Sequence, residues 1–239
     1  MLACRQVGKH WLKSGMTSQS YTRISLEIAY IWRKLTGQRR RAQTMAKRAF
    51  NEALADLTPD DVAIDLGANV GEFTLSMAAT GARVYAFEPD PHAFAILEKK
   101  LKDHPGVTLI EAAEDTEDGT TKLYRSTVFD REPDRRTKSS SLFSEKHNVS
   151  ADHSISIDVK DFPTFLTALD HDIALIKIDI EGGEVPLLEA LLDAPVATRI
   201  GNIFVETHER GLPQLADRTA ALRSATAGRK SPNINWDWH

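Results

Sequence analysis

Apolar residues recur along this chain at two spacings, and the change from one to the other divides it. Ile24, Ile28, Ile31 and Leu35 lie three or four positions apart, which predicts an amphipathic helix over Ser20–Leu35. Gly37 and the run Arg39-Arg40-Arg41 read as a junction. A second helix is expected from Gln43 to Asp56, with Ala46, Phe50, Ala53 and Leu54 on one side and Thr58-Pro59-Asp60 as its stop. Beyond this point the apolar positions form short continuous runs. Val62–Leu66, Arg83–Phe87, Val107–Ile110, Ile173–Ile178 and Ile200–Val205 read as buried strands. Between them, Phe73–Ala79, the segment after Asp90-Pro91, Pro163–Leu169, Val185–Leu192 and Pro213–Arg223 read as helices.

Short helical crossovers between apolar strands predict an α/β fold with a mostly parallel central sheet and helices on both faces. The middle of the chain is less regular. Glu117-Asp118-Gly119 reads as a hairpin turn into a strand over Thr120–Tyr124, and the alternation of Ile155, Ile157 and Val159 marks another strand. Residues 130–150 are polar and charged and read as a long loop on the substrate side. Ile234–Trp238 is the last expected strand. The division expected from these patterns is a basic helical extension over residues 1–55 and one α/β domain over residues 56–239.

Charge sharpens that division. Residues 1–48 carry eleven Lys or Arg and one acid, Glu27, whereas the remainder carries 19 basic and 33 acidic side chains within a net charge of −4. A basic arm on an acidic body can pack on its own domain or make weak contact with a membrane surface. No run approaches the length of a membrane-spanning helix, no secretory signal is recognisable, and Cys4 is the only cysteine. Together these point to a cytoplasmic protein without a disulfide framework.

The candidate chemistry begins at the first strand. Val62-Ala63-Ile64-Asp65-Leu66 runs into the turn Gly67-Ala68-Asn69-Val70-Gly71, and the next strand ends at Glu88-Pro89-Asp90. A dinucleotide turn needs a middle glycine so that pyrophosphate can approach the backbone. Here Asn69 holds that position, and Asp65 would repel a pyrophosphate. A ligand with a ribose and a cationic end fits better: Asp65 attracts an ammonium group directly or through water, Gly67 and Gly71 let the backbone pass close, and Glu88 accepts hydrogen bonds from both ribose hydroxyls. S-adenosylmethionine has this make-up. A nicotinamide-dependent oxidoreductase and a nucleoside-binding module without chemistry are the alternatives at this point.

These residues resemble the FkbM family of S-adenosylmethionine-dependent methyltransferases. The resemblance rests on Ile64–Gly71, Tyr85–Pro89, Ile176-Lys177-Ile178-Asp179-Ile180-Glu181-Gly182-Gly183-Glu184, Ile203–Glu209 and the final Asn233–Trp238. It implies a Rossmann-like methyltransferase fold, usually seven-stranded with a reversed last strand. It also implies that Asp65, Gly67, Asn69 and Gly71 surround the methionine part, that Glu88 holds the ribose, and that Ala112-Ala113 lie near adenine. The acceptor it implies is a hydroxyl of a sugar or another small-molecule natural product.

On the reactive side, Asp179, Glu181 and Glu184 follow an apolar strand, and Glu206 and His208 close the next one. Methyl transfer to oxygen requires alignment of the acceptor and removal of its proton. His208 is expected to be the base, with a pKa suited to neutral pH, and Asp179 and Glu181 to orient the hydroxyl or replace it as base. Asp179, Glu181, Glu206 and His208 can also hold a divalent ion, but their spacing is not diagnostic and no metal is assigned. Glu184 is read as an acid favoured at a helix start. No nucleic-acid partner is expected, because no aromatic base platform accompanies the basic charge. The oligomeric state is not readable.

Overall fold

The computed structural model describes residues 18–126, 129, 140–142, 149 and 152–238. The charged loop expected over 130–150 therefore falls almost entirely outside the described residues. Two helices come first, α1 (Ser18–Leu35) and α2 (Gln38–Ala55). They are followed by β1 (Val62–Leu66), α3 (Glu72–Ala78), β2 (Arg83–Phe87), α4 (Pro91–Leu101) and β3 (Val107–Ile110). Next are β4 (Ala113–Asp115), β5 (Gly119–Tyr124), β6 (Ser154–Asp161), α5 (Phe162–Ala168), β7 (Ile173–Ile178) and α6 (Glu184–Asp193). The described chain closes with β8 (Ile200–Val205), α7 (Ala216–Ala225) and β9 (Asn233–Asn235).

The main sheet has six strands in the order β3-β2-β1-β7-β8-β9, every neighbouring pair parallel. Strand order reverses between β1 and β7, which opens a crevice at their carboxyl ends. β1 is buried at all five positions, as a central strand covered on both faces must be. One face carries Ile64, Leu66, Phe87, Ile176, Ile178, Leu188 and Val205. The other holds Ala63, Val84, Leu175 and Phe204 against Phe50 and Trp238. Asp90 caps α4, its carboxylate accepting from the His92 N–H, with Pro91 at the first helical position.

Several local expectations change. The arginine run is not a junction: Gly37, at φ +70°, turns the chain within two residues, so α2 starts at Gln38 and includes Arg39–Arg41. α2 is also part of the core, because Phe50 packs edge-on to Phe73 and Phe204 and 4.3 Å from the Trp238 ring centre. Glu117-Asp118-Gly119 does not make a hairpin. β4 and β5 each pair with β6 instead, in a separate three-stranded sheet of order β4-β6-β5. The reversed last strand is absent among the described residues. α7 returns the chain along the sheet before β9, which makes β9 parallel to β8. No helix among the described residues is long and apolar enough to cross a membrane.

Candidate active site

A cavity opens at the carboxyl ends of β1, β2 and β7, where the strand order reverses. Gly67, Ala68, Asn69, Val70, Glu88, Ala113, Glu114, Lys177, Asp179 and Glu181 line it, with Ser140, Ser141 and Leu142 on the far wall. Register places Asp65 opposite Lys177, and the Asp179 N–H donates to the Leu66 carbonyl at 3.2 Å.

Asp65 is fully buried and does not line the cavity. Its Oδ2 accepts from the Thr74 hydroxyl at 2.7 Å, and its Oδ1 lies 3.1 Å from Lys177 Nζ. Direct attraction of a ligand ammonium by Asp65 is therefore corrected: the counter-charge it faces is Lys177. Lys177 donates to the Leu66 and Gly67 carbonyls at 3.1 and 2.8 Å, tying the β1 turn to β7. Burial works against its charge, but Asp65 and Asp179 prevail and raise its pKa above the usual lysine value.

The glycines serve packing. A Cβ on Gly67, at φ +68°, would sit 1.9 Å from the Asp179 carbonyl oxygen. Gly71, at φ +84°, precedes α3 outside the cavity, and a Cβ there would meet Leu97 at 2.7 Å. The expectation that the backbone of both glycines passes close to a ligand's linker is revised for Gly71, whose open side is taken by α4; Gly67 does line the cavity, with the Asp179 backbone packed against the position a Cβ would occupy. Gly67→Ala is expected to lose about 3 kcal/mol or more of unfolding free energy in urea. A loss under about 1 kcal/mol would contradict this packing account.

Asn69 adopts a left-handed conformation at φ +50°, which asparagine tolerates better than most residues. That turn aims its N–H at Glu88 Oε2, 2.7 Å away, while the Asp90 N–H donates to Oε1 at 2.7 Å. Burial nevertheless raises the Glu88 carboxyl to about 7 against these two donors. Asp90 is itself held by Arg125 through two hydrogen bonds of 2.8 and 2.7 Å. Ala113 lines the cavity beside Glu88, as does its chain neighbour Glu114.

Asp179, Glu181 and His208 converge. His208 Nε2 lies 3.1 Å from Glu181 Oε2 and 3.8 Å from Asp179 Oδ1, and these ligand atoms are close enough to hold a metal ion. His208 Nδ1 donates to Glu184 Oε1 at 2.7 Å, and that oxygen also accepts from the Gly182 N–H. Glu184 is more than a helix-start acid: it is buried and fixes the imidazole. Burial alone would lower the His208 pKa, but Glu184, Glu181 and Asp179 raise it to about 9. The expected neutral-pH base is corrected on that ground. Glu181 sits at φ +58° with its carbonyl accepting from Ser141, a strained backbone at the cavity edge. Glu206 is not brought into this cluster. It lines a neighbouring depression between β8's end and α1, which His208 also borders.

Among the described residues, the cavity wall carries five acids, Glu72, Glu88, Glu114, Asp179 and Glu181, and one cation, Lys177, already paired. Such a wall opposes a pyrophosphate and suits a nucleoside with a cationic end, which fits S-adenosylmethionine and not a nicotinamide dinucleotide. A family model, the methyltransferase FkbM domain, matches residues 65–226. The chain belongs to this family. Its cofactor is S-adenosylmethionine.

Among curated relatives, ribosomal RNA small subunit methyltransferase A of Thermotoga neapolitana is 46% identical over 65 residues, 27% of this chain and 24% of that protein. A probable cobalt-precorrin-6B C(15)-methyltransferase (decarboxylating) of Methanothermobacter thermautotrophicus is 37% identical over 70 residues, 28% of this chain and 36% of that protein. The match thus spans about a quarter to a third of the length of these relatives. Among solved structures, the 23S rRNA methyltransferase ErmE has 19% identity and a TM-score of 0.35, over 66% of this FkbM chain and 42% of that one. The exclusion of nucleic acid drawn from the sequence is overturned by the curated relatives, several of which are ribosomal RNA methyltransferases. A missing aromatic platform was too weak a ground for it, since phosphate contacts need only basic side chains.

Proposed function

We propose that this FkbM-family protein transfers a methyl group to a hydroxyl oxygen of a small-molecule or glycan acceptor. The observation that carries the reading is the His208 cluster beside the cavity, an imidazole held by Glu184 and flanked by Asp179 and Glu181, which becomes a proton acceptor once it has lost its own proton. When bound, S-adenosylmethionine supplies an electrophilic methyl carbon on a sulfonium. Glu88 holds the nucleoside end, with Asn69 and Asp90 fixing its carboxylate. Asp179 and Glu181 line the cavity at its reactive end and orient the acceptor hydroxyl. Deprotonated His208 would take the hydroxyl proton at Nε2 as the methyl carbon exchanges its bond to sulfur for one to the acceptor oxygen, leaving S-adenosylhomocysteine as the neutral thioether, and Glu184 would stabilise the imidazolium at Nδ1.

A second reading, an RNA acceptor, is favoured by the activities that the relatives' names carry and by Arg33, Arg39, Arg210 and Arg223 lining the depression that His208 borders. The test is transfer of labelled methyl from S-adenosylmethionine to pooled hydroxylated small molecules and glycans and, separately, to ribosomal RNA. Label in a hydroxyl of the first pool supports the main reading. Label confined to RNA, with strong salt sensitivity, replaces it with the second. No transfer to either leaves a binding module. In all cases Glu88→Ala is expected to weaken S-adenosylmethionine binding about 10–100-fold, measured by calorimetry. Unchanged affinity would remove Glu88 from the cofactor site.

A further inference from the structure

Glu114 has no role in the reading above, yet its position demands one. It is the middle residue of β4, 4% exposed, and it borders the same cavity as Glu88 and Lys177. Its Oε1 is buried without a hydrogen-bond partner among the described residues. A buried acceptor left unmade costs about 1–3 kcal/mol, so it is kept only where something else completes it. Lys177 does not, since its donors go to the Leu66 and Gly67 carbonyls and its charge to Asp65. Glu88 cannot help either, being a second acid whose oxygens already accept two backbone N–H groups.

We infer that Glu114 is a cofactor-recognition residue whose unpartnered oxygen accepts a hydrogen bond from an N–H or O–H donor on the adenosine of S-adenosylmethionine. The inference rests on the cofactor assignment and adds a contact to it. Adenosine offers two kinds of donor: the 6-amino group of the base and the ribose hydroxyls. Burial, and then the neighbouring Glu88, hold the Glu114 carboxyl up at about 8. Two crowded acids in one cavity are consistent with a site completed by a ligand rich in donors and carrying positive charge.

The experiment is calorimetric binding of S-adenosylhomocysteine, its inosine analogue lacking the 6-amino group, and its 2′- and 3′-deoxyribose analogues. Each is titrated into the wild-type chain, Glu114→Leu and Glu114→Gln, with thermal melting to establish that each variant is folded. The wild type is expected to lose on the order of 10–100-fold in affinity for whichever analogue lacks the donor that meets Glu114. Glu114→Leu should bind S-adenosylhomocysteine weakly and lose that discrimination, and Glu114→Gln, which keeps a carbonyl acceptor, should retain part of it. Loss on the inosine analogue assigns the base amine, and loss on a deoxy analogue assigns the ribose. Wild-type-like affinity in Glu114→Leu, or an equal loss for every ligand, overturns the inference. Absence of S-adenosylhomocysteine binding in the wild type overturns the cofactor assignment along with it.

Discussion

Replacing Lys177 with methionine is expected to cost the fold about 3–5 kcal/mol. The lysine is 2% exposed and Asp65 fully buried, so methionine leaves a carboxylate inside the sheet with Thr74 as its remaining side-chain donor. Removing one partner of a buried pair is far costlier than replacing both, because the uncompensated charge has lost its water and gained nothing. The double variant Asp65→Asn with Lys177→Met is therefore expected to regain much of the loss, since neither position then carries a charge. Urea unfolding of the two single variants and the double variant measures this directly. A single-variant loss under about 1 kcal/mol, or a double variant no better than Lys177→Met, would refute the pairing as a determinant of stability. The same substitution should weaken cofactor binding, because Lys177 also holds the Leu66 and Gly67 carbonyls that shape the β1 turn.

Methyl transfer is expected to accelerate about 50-fold between pH 7 and pH 9. Glu184, Glu181 and Asp179 raise the His208 imidazole to about 9, so at neutral pH it carries the proton that a base must lack. Rate should follow the deprotonated fraction, rising nearly tenfold per pH unit at first and levelling above about pH 9. The same shift bears on stability with the opposite sense. A pKa raised above its unfolded value adds stability below about pH 6.5, and that contribution is lost as pH climbs through about 9. Activity and resistance to urea should therefore move in opposite directions across this window. Glu184→Gln removes the strongest influence raising the pKa and should shift the rising limb to lower pH. His208→Asn should flatten the profile and lower the plateau by about 10²–10⁴-fold. A wild-type rate independent of pH from 7 to 9, or an unmoved limb in Glu184→Gln, would exclude His208 as the base.

The strands over Val62–Leu66, Arg83–Phe87 and Ile173–Ile178, the turn from Gly67 to Gly71 and the acids closing each strand were legible in the sequence. Each is a local pattern: continuous apolar residues make a buried strand, and glycine or asparagine marks a backbone that must turn left-handed. Local pattern also placed Asp179 beside the end of β1, because parallel crossovers have few arrangements. It did not reveal what each acid faces. Asp65 reads in sequence as a ligand contact and is in fact the buried partner of Lys177, a residue far along the chain. Glu184 reads as a helix start and is the anchor of His208, and that contact moves the imidazole away from the neutral range. Glu114 carries no sequence signal, since only the joining of β4 to β6 and its burial beside Glu88 make its oxygen an orphan. Sequence by itself determined the main elements, their order and the acids that close the strands, because periodicity and turn chemistry act over a few residues. The tertiary structure decided the pairing and protonation of the buried charges, because desolvation and Coulomb energy depend on neighbours that only folding brings together.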